Sequence, residues 1–206
     1  MKTPIMPMWV PAILLALWAG AGAAQEVDCA TAVPPQDAKA RLDRALQLRS
    51  AGRLDAAQAE VDAVLRNAPN HPRALYSLGM IQLDRNELAQ ASATMQRAVA
   101  VKERCGEAAG PLNSNVHNNI GYAQVQLGEY GPAVQSFKSA LATPDLPRSS
   151  RVKAQSNLGY VYFVTGNFDL AKPALEEAAA NNSSSARYTL NLVQRAEAIE
   201  KAQGKP

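Results

Sequence analysis

The residue types that most often do chemistry at neutral pH are sparse in this chain, with two histidines, His71 and His117, and two cysteines, Cys29 and Cys105. A metal site needs three or four ligands converging, and acid–base catalysis needs a titrating group beside a partner that tunes it. Neither histidine has a metal-ligating neighbour at helical or loop spacing: His71 precedes Pro72, and His117 stands where a helix begins. H-E-x-x-H, G-x-S-x-G and phosphate-loop patterns are absent, and the carboxylates are scattered rather than paired. No C-x-x-C spacing suggests thiol redox work. The sequence therefore predicts no catalytic residue, no metal and no cofactor. The one place with room for a hidden hydrolytic site is the stretch 102–113, which holds Glu103, Glu107 and a cysteine but no histidine, and this is the least favoured reading. A formal net charge of +3 without a basic run gives no nucleic-acid signature.

Export is written into the first 25 residues. Lys2 is the sole charge before Glu26, an apolar tract runs from Ile5 to Ala19, and Gly20-Ala21-Gly22-Ala23-Ala24 closes it with small residues. That order describes a secretory signal peptide over 1–24, cut after Ala24. The apolar core is shorter than the roughly 20 residues a spanning helix needs, and Pro7 and Pro11 break it. An uncleaved membrane anchor is the alternative. The expected location is periplasmic or secreted. In an oxidising compartment Cys29 and Cys105 read as one disulfide. Two unrelated thiols is the alternative, since no spacing motif links them. Asn181 and Asn182 also match N-x-S glycosylation patterns, which matter only in a eukaryote.

Self-comparison supplies the elements that must position everything else. Ala45…Gly52-Arg53-Leu54-Asp55-Ala56-Ala57, Gly79…Asn86-Glu87-Leu88-Ala89-Gln90-Ala91, Gly121…Gly128-Glu129-Tyr130-Gly131-Pro132-Ala133 and Gly159…Gly166-Asn167-Phe168-Asp169-Leu170-Ala171 share one pattern. A small residue is followed seven positions later by Gly or Asn, then two on by a large apolar residue, then three on by alanine. Glycine inside a helix costs about 1 kcal/mol relative to alanine, so three at one register need a packing reason. Close approach of a paired helix supplies it, with Ala91, Ala133 and Ala171 as the expected small partners. Gly52, Asn86, Gly128 and Gly166 fall where a chain leaving a helix takes positive φ. Val61, Met95, Phe137 and Leu175 continue an apolar stripe on the second helix. The spacing is 34 residues from Ala45 to Gly79, 42 to Gly121 and 38 to Gly159, which puts insertions in loops around 102–113 and 144–151.

This pattern resembles the tetratricopeptide repeat, although the family's first-helix tryptophan is replaced by Arg41, Leu75, His117 and Gln155. The resemblance implies an all-α fold: a right-handed superhelical array of antiparallel helix pairs, about four repeats at 38–71, 72–105, 114–147 and 152–185. Before it lies an arm, 25–37, expected to be extended. After it a capping helix and tail, 186–206, should bury Tyr188, Leu192, Ala196 and Ile199.

Repeats of this family line a concave groove with their first helices, and ligand contacts come from fixed repeat positions. Carried over by register, the groove candidates are Lys39, Arg73, Tyr76, Asn115, Asn118, Asn119, Tyr122, Lys153, Asn157 and Tyr160. Tyrosine offers an apolar ring and a hydroxyl at low entropic cost. Asn119 and Asn157 share one register position, and a ladder of amides there can grip a peptide backbone. In the other reading the tyrosines bridge helices and the asparagines tie down loops. The Lys/Asn/Lys/Arg clamp that some family members use for a terminal carboxylate is only partly present. The expected function is a non-enzymatic interaction module that binds a peptide or partner protein in cell-envelope assembly or secretion. A self-associating scaffold is the alternative, so a homo-oligomer is possible. Membrane contact is expected only through an uncleaved signal segment.

Overall fold

A computed structural model describes residues 28–32, 35–109 and 112–203; the expected signal peptide and residues 25–27 and 33–34 of the arm lie outside them. Nine α-helices and no strand occur among the described residues. They are α1 (Ala38–Ser50), α2 (Leu54–Asn67), α3 (Pro72–Asp84), α4 (Leu88–Cys105), α5 (Val116–Gln126), α6 (Tyr130–Leu141), α7 (Arg148–Val164), α8 (Phe168–Ala180) and α9 (Ser184–Ala202). Each packs on the next, and first helices of successive repeats also touch (α1 with α3, α5 with α7, α7 with α9). The array is right-handed and superhelical.

One turn, built four times, sets the antiparallel pairing. Gly52, Asn86, Gly128 and Gly166 take φ of 72°, 62°, 77° and 75°. The following residue then donates back five positions: Arg53 to the Leu48 carbonyl, Glu87 to Gln82, Glu129 to Gln124 and Asn167 to Tyr162, at 2.8–2.9 Å. This closes the last carbonyls of the first helix and turns the chain into the second. Phe163 and Phe168 stack across the last of these turns at 6.1 Å.

The mid-helix glycines face large side chains, not the alanines expected from the pattern. A Cβ on Gly79 would lie 2.6 Å from Met95 Cγ, on Gly121 2.7 Å from Phe137 Cε1, and on Gly159 2.6 Å from Leu175 Cγ. Ala91 and Ala171 contribute only their carbonyl oxygens, 3.4 and 3.3 Å away. The reason is helical direction: a long side chain reaches toward the N-terminus of its helix, so the residue one turn later covers the glycine. In the first repeat Ala45 takes the glycine's register and Val61 the facing one, and both are buried. A larger residue on one side is matched by a smaller one on the other.

Three expectations need correction. Where the arm is described it is not extended: Cys29–Ala32 is a 3-10 turn with Ala32 fully buried. Asn70 holds it, donating its backbone N–H to the Thr31 carbonyl (3.1 Å) and its Nδ2 to Thr31 Oγ1 (2.8 Å). Cys29 and Cys105 form a disulfide, Cα atoms 5.5 Å apart, joining the arm to the end of α4. The loop expected over 144–151 is shorter, because α7 starts at Arg148 with Pro147 as its N-cap. Proline fits the start of a helix, where an N–H has no partner anyway. Finally, α9 begins at Ser184 and buries Ala186, Thr189 and Val193, whereas Tyr188 and Ile199 are 68% and 57% exposed. Either stripe has helical spacing, and packing against α8 selects the smaller residues.

Candidate binding face

First helices put their polar and aromatic positions on one open side of the array, and hollows there divide into two groups. The first hollow, about 320 Å³, lies between α1 and α3 and takes Arg49, Arg73, Tyr76 and Met80 from their exposed turns. Leu112 and Asn113, from the insertion after α4, form its far wall. Both of its cations are already paired. Arg73 meets Asp43 at 2.6 Å, and Arg49 meets Asp84 at 2.6 Å. Hydrogen bonds from Lys39 and Arg73 hold the Asp43 carboxyl below its ordinary pKa. Burial raises the Tyr76 hydroxyl pKa, against the opposing pull of Arg49 and a hydrogen bond from Asn119.

The second group lies along α5, α7 and the start of α9. One hollow of about 240 Å³ is lined by Tyr122, Gln126, Asn157 and Tyr160. A larger one of about 520 Å³ runs toward Arg148 and Lys153. They share Ser156, Asn157 and Ser185, so they adjoin along α7 and together make up a trough. Tyr122 and Tyr160 are 47% and 44% exposed, and both line the same hollow.

The amide ladder has a different job from gripping a ligand. Asn119 Nδ2 donates to Tyr76 Oη (3.0 Å) and Met80 Sδ (3.1 Å), and Asn157 Nδ2 donates to Asn118 Oδ1 (3.2 Å). Each asparagine reaches back to the first helix of the preceding repeat. Ser185 continues the series, bonding Ser156 Oγ at 3.0 Å. A tyrosine stands three residues after each stitching residue: Tyr122, Tyr160 and Tyr188. By this geometry α9 is the first helix of an unfinished fifth repeat.

Several sequence candidates therefore leave the groove. Asn118 is 3% exposed and already bonded to Asn157. Asn115 holds the N-cap position of α5 without a side-chain cap bond, its Oδ1 buried and unpartnered among the described residues. Lys39 sits exposed at the α1 start, paired with Asp43 and outside the hollows. Tyr122, Tyr160, Asn157 and Lys153 come together, as do Arg73 and Tyr76. Pattern reading missed Leu112, Asn113, Arg148 and Ser185. The first two come from an insertion outside the repeat register. Arg148 opens α7 beside the second insertion, and Ser185 comes from a fifth first helix, whose signal was the serine run before α9. Among the described residues no cluster of three or more His, Cys, Asp or Glu could hold a metal, and no helix is long and apolar enough to cross a membrane.

Comparison with known proteins bears on the same elements. One tetratricopeptide-repeat model matches residues 42–109 and 156–202, more than half the chain, and a second matches 114–143. The chain belongs to the tetratricopeptide repeat family. The second match of the first model runs through α9, in line with its role as a repeat helix. Among solved structures, this tetratricopeptide repeat protein is similar to PilF of Pseudomonas aeruginosa, at 21% identity and TM-score 0.66, covering 79% of this chain and 69% of that one. It is similar to YrrB, described as a TPR protein with an unusual peptide-binding site (18% identity, TM-score 0.63, 78% of each chain). It also matches a chain of the APC/C heterotetramer Cut9–Hcn1 (18%, TM-score 0.65, 76% of this chain), of which it spans only 29%. At these identities the likeness is one of fold. No curated sequence matches the chain.

Proposed function

We propose that this protein is a non-catalytic interaction module whose open face, formed by the first helices, binds an extended segment of a partner protein. The exposed pair Tyr122 and Tyr160 carries the reading, because both rings line one trough although the core beneath is complete. Such rings contribute contact area at little entropic cost. YrrB, a fold relative described as having a peptide-binding site, supports the same direction. The signal-like residues 1–24 support work outside the cytosol, in the periplasm or secreted, and cell-envelope assembly or secretion is the proposed setting. Panning random dodecapeptides on the immobilised protein tests the binding reading. Linear peptides should enrich, compete with one another and be lost on Tyr122→Ala with Tyr160→Ala. Peptides that bind the double variant as well as the parent would overturn it. Export is read separately, by N-terminal sequencing of the protein from a periplasmic extract, which should begin at Gln25.

A second reading, pairing between copies, rests on Tyr188 and Ile199, exposed on one side of α9. Sedimentation equilibrium of the parent against Tyr188→Ser with Ile199→Ser decides it: a dimer in the first and a monomer in the second is the expected pattern, and a monomeric parent ends it.

A further inference from the structure

The trough along α7 differs from the first hollow in how its cations are matched. The chain has 18 Asp and Glu, yet none of them lines any of the three hollows described above. In the first hollow the cations are neutralised from outside by Asp43 and Asp84. In the trough they are not. Lys153 is exposed and has no acidic partner among the described residues, and Arg148 spends its guanidinium on the neutral Asn181 Oδ1, at 2.9 and 2.6 Å. Two positive charges therefore stand at one end of a trough whose other end is aromatic. Surface complementarity of this kind selects partners and speeds their encounter.

Dimensions refine the ligand. Lys153 and Tyr160 are seven residues apart on one helix, about 10 Å along its axis. An extended chain covers that in about three residues. Resting on the groove reading above, we propose that the α5–α7–α9 trough takes an acidic, extended segment of a partner protein. Its carboxylates sit at Lys153 and Arg148, and an apolar side chain about three residues away sits between Tyr122 and Tyr160. Ser156, Asn157 and Ser185 line both hollows between those ends and offer hydroxyl and amide groups to its backbone. The contact reads side-chain carboxylates within a segment and needs no free C-terminus.

The test is an array of dodecapeptides probed with the full-length mature protein. Each carries a Glu-Glu, Gln-Gln or Lys-Lys pair and one leucine at spacings of one to six residues, and the best are measured by fluorescence anisotropy. Glu-Glu with leucine three residues away should bind about tenfold tighter than its Gln-Gln counterpart, and the gap should close in high salt. Lys153→Glu with Arg148→Glu, both at exposed positions, should invert the preference toward Lys-Lys with unchanged helicity. Arg85→Ala, a cation already neutralised by Asp55 and outside all three hollows, should leave affinity within about twofold. Equal binding of Glu-Glu and Gln-Gln peptides, abolished by Tyr122→Ala with Tyr160→Ala, would overturn the acidic assignment while keeping the groove. A folded double-Glu variant that retains the acidic preference would overturn the residue assignment. Failure of every peptide at millimolar concentration would overturn both.

Discussion

The two ends of the array follow one repeat plan and use it differently. Between α1 and α3, cations on the open face are matched by Asp43 and Asp84, and the neighbouring turn is tied down by the Cys29–Cys105 disulfide and the Asn70–Thr31 bonds. Between α5, α7 and α9, Tyr122 and Tyr160 stand at the register of Leu46 and Met80 and an unpaired Lys153 at that of Arg73, and the first helices are stitched by amide and hydroxyl bonds. Identical backbone geometry therefore supports a closed, self-neutralised end and an open, unneutralised one. Repeat arrays permit this because each unit is stabilised by its neighbours alone, leaving outward positions free to vary.

The largest test of the shared plan is Gly121→Leu. Its side chain would enter the Phe137 ring, and overpacking should cost about 3 kcal/mol or more, read as loss of helicity or a large fall in Tm by circular dichroism. Pairing it with Phe137→Ala should recover part of the loss. Ala45→Gly in the first repeat, facing the smaller Val61, should cost only about 1 kcal/mol. Equal effects at residues 45 and 121 would refute volume matching between paired helices.

Removing the staple comes next. Cys29→Ser should lower stability by about 2–4 kcal/mol in urea melts. Hydrogen exchange should quicken around 69–71 and the end of α4 while α7–α9 keep their protection; a uniform loss would show that the two ends are not independent. Asn119→Ala should cost about 1 kcal/mol, since it removes the link to Tyr76 across the junction between the ends.

The smallest effect is acid sensitivity. Burial, assisted by Arg73, lowers the pKa of His71, and burial lowers that of His117 against the pull of Glu103. A folded pKa below the unfolded one means the unfolded chain binds more protons, so stability is complete above the ordinary histidine pKa of 6.5 and is lost as pH falls through it. Denaturant midpoints should drop between pH 7 and 5. His71→Gln should flatten that slope more than His117→Gln, because His71 is buried at the stapled end with its Nδ1 unpartnered among the described residues.

How much of this could be read in the residues follows from what is periodic. The glycines at 79, 121 and 159 and the turn residues at 52, 86, 128 and 166 recur at one register, so the helix pairing was legible. Which side chain covers each glycine was not, because that depends on the backward lean of Met95, Phe137 and Leu175. The asparagine positions were legible as a ladder but not its direction: whether an amide faces a ligand or the previous repeat depends on the distance between helices. Leu112, Arg148 and the buried stripe of α9 lie where the period breaks, and there the pattern points nowhere.

The disulfide also sets the route of mechanical load. Cys29 and Cys105 are 76 residues apart in sequence and covalently joined in space. Tension pulling on the N-terminal end passes through sulfur straight to the end of α4, so all four helices α1 to α4 hang as a slack loop beside the stressed path. An array tethered at that end resists unravelling from its first repeat, and the first helices to feel the pull are those that bear the trough.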